Sequence, residues 1–302
     1  MNSFNYKELI MTARLRFFTL LCVLSLPILA AAQGVTTAPI DQALGRSGQK
    51  TGDVYRVSFP RTDLHVSVNG LAIKPGLALG SWAAFLGTDD NAMVMGDLVL
   101  LEEELNPVMA KLRSYHFDIT AVHNHLTQET PKVLYVHYMG HGSAKQLATS
   151  LRTALEVSKT PLEKPAAAAE EPAPPAWVKT VEDAVGRKGT FKGGVLSYGV
   201  PRSDAVTMAG MTIPPAAGVG EAINFQAADS GNVATTGDFV LTAGEVNEVL
   251  SELQGRNILV TALHSHMLTE QPRLFFMHFW SVGSPESVGA GIKAALSKVQ
   301  TK

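Results

Sequence analysis

The sequence predicts an α+β protein of two homologous tandem domains, each an antiparallel sheet with its helices packed on one face. Three observations carry this reading. Landmarks recur 141 residues apart: His123 and His264, His137 and His278, Pro60-Arg61 and Pro201-Arg202, Gly96-Asp97 and Gly237-Asp238. Between the two sets, from Lys159 to Ala176, proline is dense enough to prevent regular helix or sheet and to make a semi-rigid spacer. Within each half, short β-prone runs alternate with amphipathic stretches. Duplication of one domain is the economical explanation. The expected division is a signal peptide over 1–32, a first repeat over 33–158, a linker over 159–176 and a second repeat over 177–302. The two repeats are expected to pack as a pseudo-dimer.

Each half reads in the same order. A short helix (Asp41 to Leu44; Thr180 to Val185) leads into a strand (Val54 to Phe59; Val195 to Val200) and a turn at Pro-Arg-Thr-Asp or Pro-Arg-Ser-Asp. A second strand follows (Leu64 to Val68; Ala205 to Ala209), then a third (Ser81 to Leu86; Glu221 to Phe225). Gly96-Asp97 and Gly237-Asp238 read as turns ahead of a short apolar strand, and an amphipathic helix comes next. In the second half Thr242 and Glu245 have capping-box spacing, and Val246, Val249, Leu250 and Leu253 form the apolar stripe. A closing helix begins at Ser143 or Ser284, residues suited to an N-cap.

The stretch ahead of that last helix is the one with chemistry. His123-Asn-His125-Leu-Thr-Gln-Glu129-Thr-Pro131, then His137, recurs as His264-Ser-His266-Met-Leu-Thr-Glu270-Gln-Pro272, then His278. The flanking runs, Asp118 to Val122 with Val133 to Val136, and Ile258 to Leu263 with Leu274 to Met277, predict a β-hairpin. Strand residues two apart share a face, and cross-strand partners share it too. Folding about Thr130 or Pro131 would therefore set His137 opposite His123 or His125, so that three imidazoles converge in each repeat. Three neutral imidazoles and an open position form the ligand set of a catalytic zinc site. Imidazole also suits copper, iron and nickel, so the expected cofactor is a divalent transition metal, zinc first. Glu129 and Glu270, in the hairpin loop, are the candidate general bases. Packing alone would not keep histidine at three positions in both copies while neighbouring apolar positions merely stay apolar.

Other positions carry weaker signals. Arg61 with Asp63, and Arg202 with Asp204, read as turn chemistry and surface ion pairs. Glu104 and Glu245 read as carboxylates favourable at a helix N-terminus. Asp97 and Asp238 read as turn aspartates, with a carboxylate for the histidine face as the alternative.

At the N-terminus Arg14 and Arg16 precede an apolar run from Phe17 to Leu29 that ends in Ala30-Ala31-Ala32, the pattern of a cleaved export signal, and translation could begin at Met1 or Met11. The run is too short to span a bilayer comfortably, so no stable membrane span is expected in the mature form. The single cysteine, Cys22, lies inside this run, which removes thiolate ligands and a cysteine nucleophile from the mature chain. A formal charge of −2 leaves no basic footprint for nucleic acid. Neither a phosphate-cradling glycine loop nor a G-x-S-x-G elbow is present.

The tandem halves, the H-x-H hairpins, the Glu-x-Pro loops and the strands His137-Tyr138-Met139 and His278-Phe279-Trp280 resemble the LppY/LpqO family of exported bacterial proteins. That resemblance covers nearly the whole mature chain and implies export, with a domain to which no function or catalytic residue is attached. The resulting expectation is a periplasmic or secreted metal-binding protein with a three-histidine site, plus glutamate, in each repeat, hydrolytic if catalytic. The alternative is a non-catalytic module for an unknown small-molecule or cell-envelope ligand, with Tyr135, Tyr138, Phe275, Phe276, Phe279 and Trp280 lining a groove.

Overall fold

In the first repeat, helix α1 (Thr37–Leu44) precedes the hairpin β1 (Gln49–Thr51) and β2 (Val54–Pro60). An arm follows, holding β3 (Ser67–Val68), β4 (Leu71–Ala72) and the short α2 (Pro75–Ala78). The chain returns as β5 (Gly80–Gly87), β6 (Ala92–Leu101), α3 (Glu102–Ser114), β7 (Asp118–His123), β8 (Glu129–Thr130), β9 (Val133–Gly142) and α4 (Ala144–Leu155). The second repeat has α5 (Ala176–Val185), β10 (Thr190–Lys192), β11 (Val195–Pro201), an arm with β12 (Val206–Met208), β13 (Met211–Ile213) and a 3-10 turn at Pro215–Ala217, then β14 (Gly220–Ala227), β15 (Val233–Leu241), α6 (Val246–Gln254), β16 (Leu259–His264), β17 (Phe275–Gly283) and α7 (Pro285–Leu296). This computed structural model describes residues 34–163 and 173–302. The signal peptide and the choice between Met1 and Met11 lie outside the described residues, as does the linker from 164 to 172.

Each repeat builds a six-stranded antiparallel sheet, in the orders β1-β2-β5-β6-β9-β7 and β10-β11-β14-β15-β17-β16. Strand period 2 divides each sheet into two faces. On β6 and β9, Val94, Leu98, Val136 and Tyr138 point to a core closed by Ile40 and Leu44 of α1, Val108 and Leu112 of α3, and Leu151 and Leu155 of α4. Phe225, Phe239, Met277 and Phe279 do the same beneath α5, α6 and α7. The intervening residues, among them Met95, Asp97, Val99, Tyr135 and His137, occupy the opposite face, which is turned to the other repeat.

That inner face is covered by exchange. Leu77 and Leu79 of the first arm pack with Val195, Ala234 and Trp280 of the second sheet. Gln226 fixes this arm from across the boundary, accepting from the Lys74 amide at 2.9 Å and donating to the Ala72 carbonyl at 2.8 Å. Reciprocally, Ala217 and Val219 of the second arm share a core with Val54, Ala84 and Met93 of the first sheet. The segments expected as simple second strands, Leu64 to Val68 and Ala205 to Ala209, therefore belong to these arms. Their short strand pieces form small sheets of their own, pairing within the arm and with β8 or Gln271.

Two glycine-aspartate pairs are also placed differently from the expectation. Gly96-Asp97 and Gly237-Asp238 lie in the middle of β6 and β15. The glycine serves close approach there, not a turn: a Cβ on Gly96 would come within 2.2 Å of the Trp82 carbonyl oxygen, and one on Gly237 within 2.0 Å of that of Ala222. The expected surface pairs at Arg61 and Arg202 are buried instead. Arg61 donates to the Val99 carbonyl at 2.7 Å and pairs with Glu104 at 2.7 Å and Asp63 at 2.9 Å, while Glu104 accepts from the amides of Leu101 and Lys159. Arg202 repeats this with Val240, Glu245 and Asp204, and Glu245 accepts from the amides of Thr242 and Gln300. One guanidinium thus ties the end of the second strand to the start of the helix and the chain's exit from the repeat. Of the two expected serine caps, Ser284 accepts from the Ser287 amide, whereas Ser143 makes no side-chain cap bond.

Candidate metal centre and cavity

His123 ends β7 and pairs with Tyr135, and His264 ends β16 and pairs with Phe276. His137 and His278 stand in the middle of β9 and β17, opposite Ala121 and Ala262 rather than opposite another histidine. The shift has two causes: a bulge in each edge strand, and a loop that is longer than a tight hairpin and puts His125 and His266 beyond the strand ends. The loop histidines are held by stacking. His125 lies on Tyr135 with ring centroids 3.3 Å apart, and His266 on Phe276 at 3.6 Å.

The structure brings each repeat's three histidines together, and then brings the two sets together. His123, His125 and His137 form one group whose ligand atoms lie within 4.8 Å of one another, and His264, His266 and His278 form a second that also includes His123. Rings of the two repeats interleave, with centroid separations of 3.8 Å for His123 and His264, 3.8 Å for His125 and His278, and 3.6 Å for His137 and His266. The Nε2 atoms of His123 and His278 are 3.3 Å apart. The two groups, one per half, thus share His123 and lie against each other between the repeats. Buried histidine groups of this kind could hold a metal ion.

The adjoining carboxylates are Asp97 and Asp238. Asp97 pairs in register with His137, and its Oδ2 is 3.7 Å from His125 Nε2 and 3.8 Å from His137 Nε2. Asp238 is in register with His278, with its Oδ1 3.7 Å from His278 Nδ1 and its Oδ2 3.7 Å from His266 Nε2. Glu129 and Glu270 are used elsewhere. Glu270 accepts from the Leu274 amide at 2.9 Å and from Arg273, Glu129 takes the equivalent Val133 amide, and neither belongs to a histidine group among the described residues. They brace the loop that carries His125 or His266.

The electrostatics favour neutral ligands. Burial, reinforced in His123, His125, His137, His266 and His278 by neighbouring imidazoles and opposed in His137 and His278 by backbone contacts with Gly96 and Gly237, pushes all six histidines down, His264 to about 4 and His278 to about 3. At neutral pH these rings keep a lone pair for an electrophile. Burial pushes the Asp97 carboxyl up to about 8 against the pull of Arg56, and it raises Asp238 as well. Nε2 of His125, His137, His264 and His266, Oδ1 of Asp97 and Oδ1 of Asp238 are buried without a hydrogen-bond partner among the described residues. His278 is oriented by contact between its Nδ1 and the Gly237 carbonyl at 2.9 Å.

A cavity of about 610 Å³ leads from this cluster along the boundary between the repeats. Its floor includes Asp97, His125, His137, Asp238, His266 and His278, and its walls include Arg56, Trp82, Gly199 and Glu221. The aromatic groove expected from the sequence does not form it. Tyr135, Tyr138, Phe276, Phe279 and Trp280 are buried in the cores, and Trp82 is the aromatic wall. Arg56 and Trp82 gave no repeat signal, because the equivalent positions in the second half are Ser197 and Ala222. A charged residue at an inner-facing strand position, unmatched in the other repeat, was the sequence clue available.

Both halves of the chain match one family profile, described as Domain of Unknown Function (DUF1259), over residues 38–157 and 179–298. The chain belongs to that family. No curated protein matches. Among solved structures, a trimeric bacterial microcompartment shell protein, PduB, is similar at 11% identity over 84% of this chain and 89% of that one, with a TM-score of 0.21. EtuB from Clostridium kluyveri follows at 9% identity, 83% and 88% coverage and a TM-score of 0.19. Scores this low carry no argument about fold, assembly or location. Among the described residues of this DUF1259 member, no helix is long and apolar enough to cross a membrane.

Proposed function

We propose that this protein is an exported, periplasmic or secreted, metal-binding protein whose six histidines hold a divalent transition metal, zinc first, in each of two adjoining groups that share His123. The observation that carries the reading is the convergence of six imidazoles, three buried and three half-buried, and two carboxylates, all of which but His278 keep a ligand atom unpartnered among the described residues. Leaving such atoms buried and unsatisfied costs about 1–3 kcal/mol each, a cost that coordination removes. Export rests on the N-terminal pattern of residues 14–32 and on the LppY/LpqO resemblance.

If the centre is catalytic, the chemistry that suits it is hydrolysis by a water whose pKa the metal lowers. Asp97 and Asp238, which lie beside the histidines, would then take the proton in preference to Glu129 and Glu270, whose carboxylates accept backbone amides. A bound cation would also bring both aspartates back toward the ionised form.

Elemental analysis of the mature protein, purified without chelator or affinity tag, tests this. Wild type should carry stoichiometric metal. His264→Ala should lose the metal of the second group alone, and His123→Ala, a member of both groups, should lose more. Folded wild-type protein that contains no stoichiometric metal and takes up none on incubation with zinc overturns the proposal.

A further inference from the structure

The cavity wall breaks the symmetry that the floor keeps. Asp97 is matched by Asp238 and each histidine by a histidine, but the position of Arg56 is taken by Ser197 in the other repeat, that of Trp82 by Ala222, and that of Glu221 by Ser81. Among the described residues Arg56 is the one lysine or arginine lining the cavity. Its guanidinium lies 3.8 Å from the centroid of the Trp82 ring, and Gly218, at φ +97°, lets the second arm approach that indole closely, where a Cβ would come within 2.7 Å of the ring. Arg56 makes one hydrogen bond among the described residues, from Nη1 to the Ala216 carbonyl at 3.2 Å. A guanidinium stacked on an aromatic face keeps its in-plane donors for an acceptor. Burial lowers Arg56 to about 10, which leaves it charged at neutral pH. A cation largely withdrawn from water with most of its donors unused is an anion receptor.

The space beside it is built for a ligand. A volume of about 610 Å³ lies inside the roughly 300–1,000 Å³ usual for small-molecule sites. Gly199 lines it, and a Cβ there would meet nothing within 4 Å, so the glycine keeps the cavity open without any backbone requirement for glycine. Glu221 is 1% exposed, with Oε2 accepting from the Val240 amide and Oε1 unpartnered. One cation in a cavity with no second one among the described residues suits a singly charged anion and leaves the second charge of a phosphate uncompensated.

We infer that the cavity binds a small organic carboxylate, its charged end on Arg56 and its body lying along the Trp82 and Gly199 walls toward the histidine cluster. This goes beyond the metal centre and does not depend on it, because Arg56 is not among the histidine groups.

Calorimetric titration of benzoate, benzamide and phenyl phosphate tests the inference, using full-length mature protein after chelator treatment and again after incubation with zinc. Benzoate should bind in both preparations, and benzamide and phenyl phosphate more weakly. Arg56→Gln should weaken benzoate by about 10- to 100-fold, the size of a lost charge-assisted contact, and leave benzamide nearly unchanged. Gly199→Leu, which fills the cavity without touching Arg56 or the histidines, should abolish binding of both. Equal affinity for benzoate and benzamide, tighter binding of phenyl phosphate, an unchanged benzoate affinity in folded Arg56→Gln, or no binding of any probe to folded wild type each overturns the carboxylate assignment. Benzoate binding that appears only with zinc would place the anion on the metal and overturn the role of Arg56. The metal proposal is decided separately, by metal content.

Discussion

The two repeats agree where they hold the chain together and where they hold the histidines, and differ where they face the cavity. Arg61 with Glu104 and Arg202 with Glu245 are the same buried clamp twice, each arginine essentially unexposed. Arg56 over Trp82, by contrast, has no counterpart, and Val99 and Val240 show the same divergence in miniature. The Val99 amide is received by the Ser81 hydroxyl at 2.8 Å, the Val240 amide by the Glu221 carboxylate at 2.7 Å. A serine suffices for the hydrogen bond, so the carboxyl group of Glu221 adds something the fold does not need. Duplication here preserved architecture in pairs and left the cavity wall free to become one-sided.

The clamps give the strongest way to break this comparison. Removing one partner of a buried ion pair costs about 3–5 kcal/mol, because the other charge is left uncompensated. Arg61→Ala and Arg202→Ala should each lower stability by that amount in urea unfolding. A variant within 1 kcal/mol of wild type would show that one clamp is dispensable and the equivalence only geometric. Next come the close strand approaches. Gly96→Ala and Gly237→Ala each push a Cβ toward a carbonyl oxygen, at 2.2 and 2.0 Å, and should cost about 1–3 kcal/mol in the same assay.

The smallest effect is a shared pH dependence. Burial pushes Glu104 and Glu245 up, but the arginines and the backbone amides outweigh it and hold both below the usual value of 4.5. A carboxylate depressed in the folded state binds fewer protons there than when unfolded. Its contribution is fully present above about pH 4.5 and is lost as pH falls through the folded value. Glu104→Gln should therefore remove part of the slope of stability against pH below 4.5, and Glu245→Gln an equal part. Unequal parts would rank the two clamps.

Much of this was legible in the sequence. The 141-residue offset exposes the duplication, the period of Val246, Val249, Leu250 and Leu253 gives α6, and the repeated histidines mark the site. Asp97 was harder, because Gly-Asp ordinarily reads as a turn. Only the packing of Gly96 beneath the Trp82 carbonyl and the Tyr138 hydroxyl reveals a strand passing through. Glu129 has the spacing of a metal motif, and only the Val133 amide shows where its carboxylate is used. The meeting of the two histidine sets depends on contacts between residues more than 130 positions apart, such as Asn124 to the Thr261 carbonyl, which no local pattern encodes.

The exchanged arms have a further consequence. Each inner sheet face finds its cover in the opposite half, so half a chain would present an unfinished apolar surface, and the cavity exists only once both halves are in place. An occupant that touches both walls then belongs to the mortar between them, and the free energy with which it binds is also free energy opposing their separation.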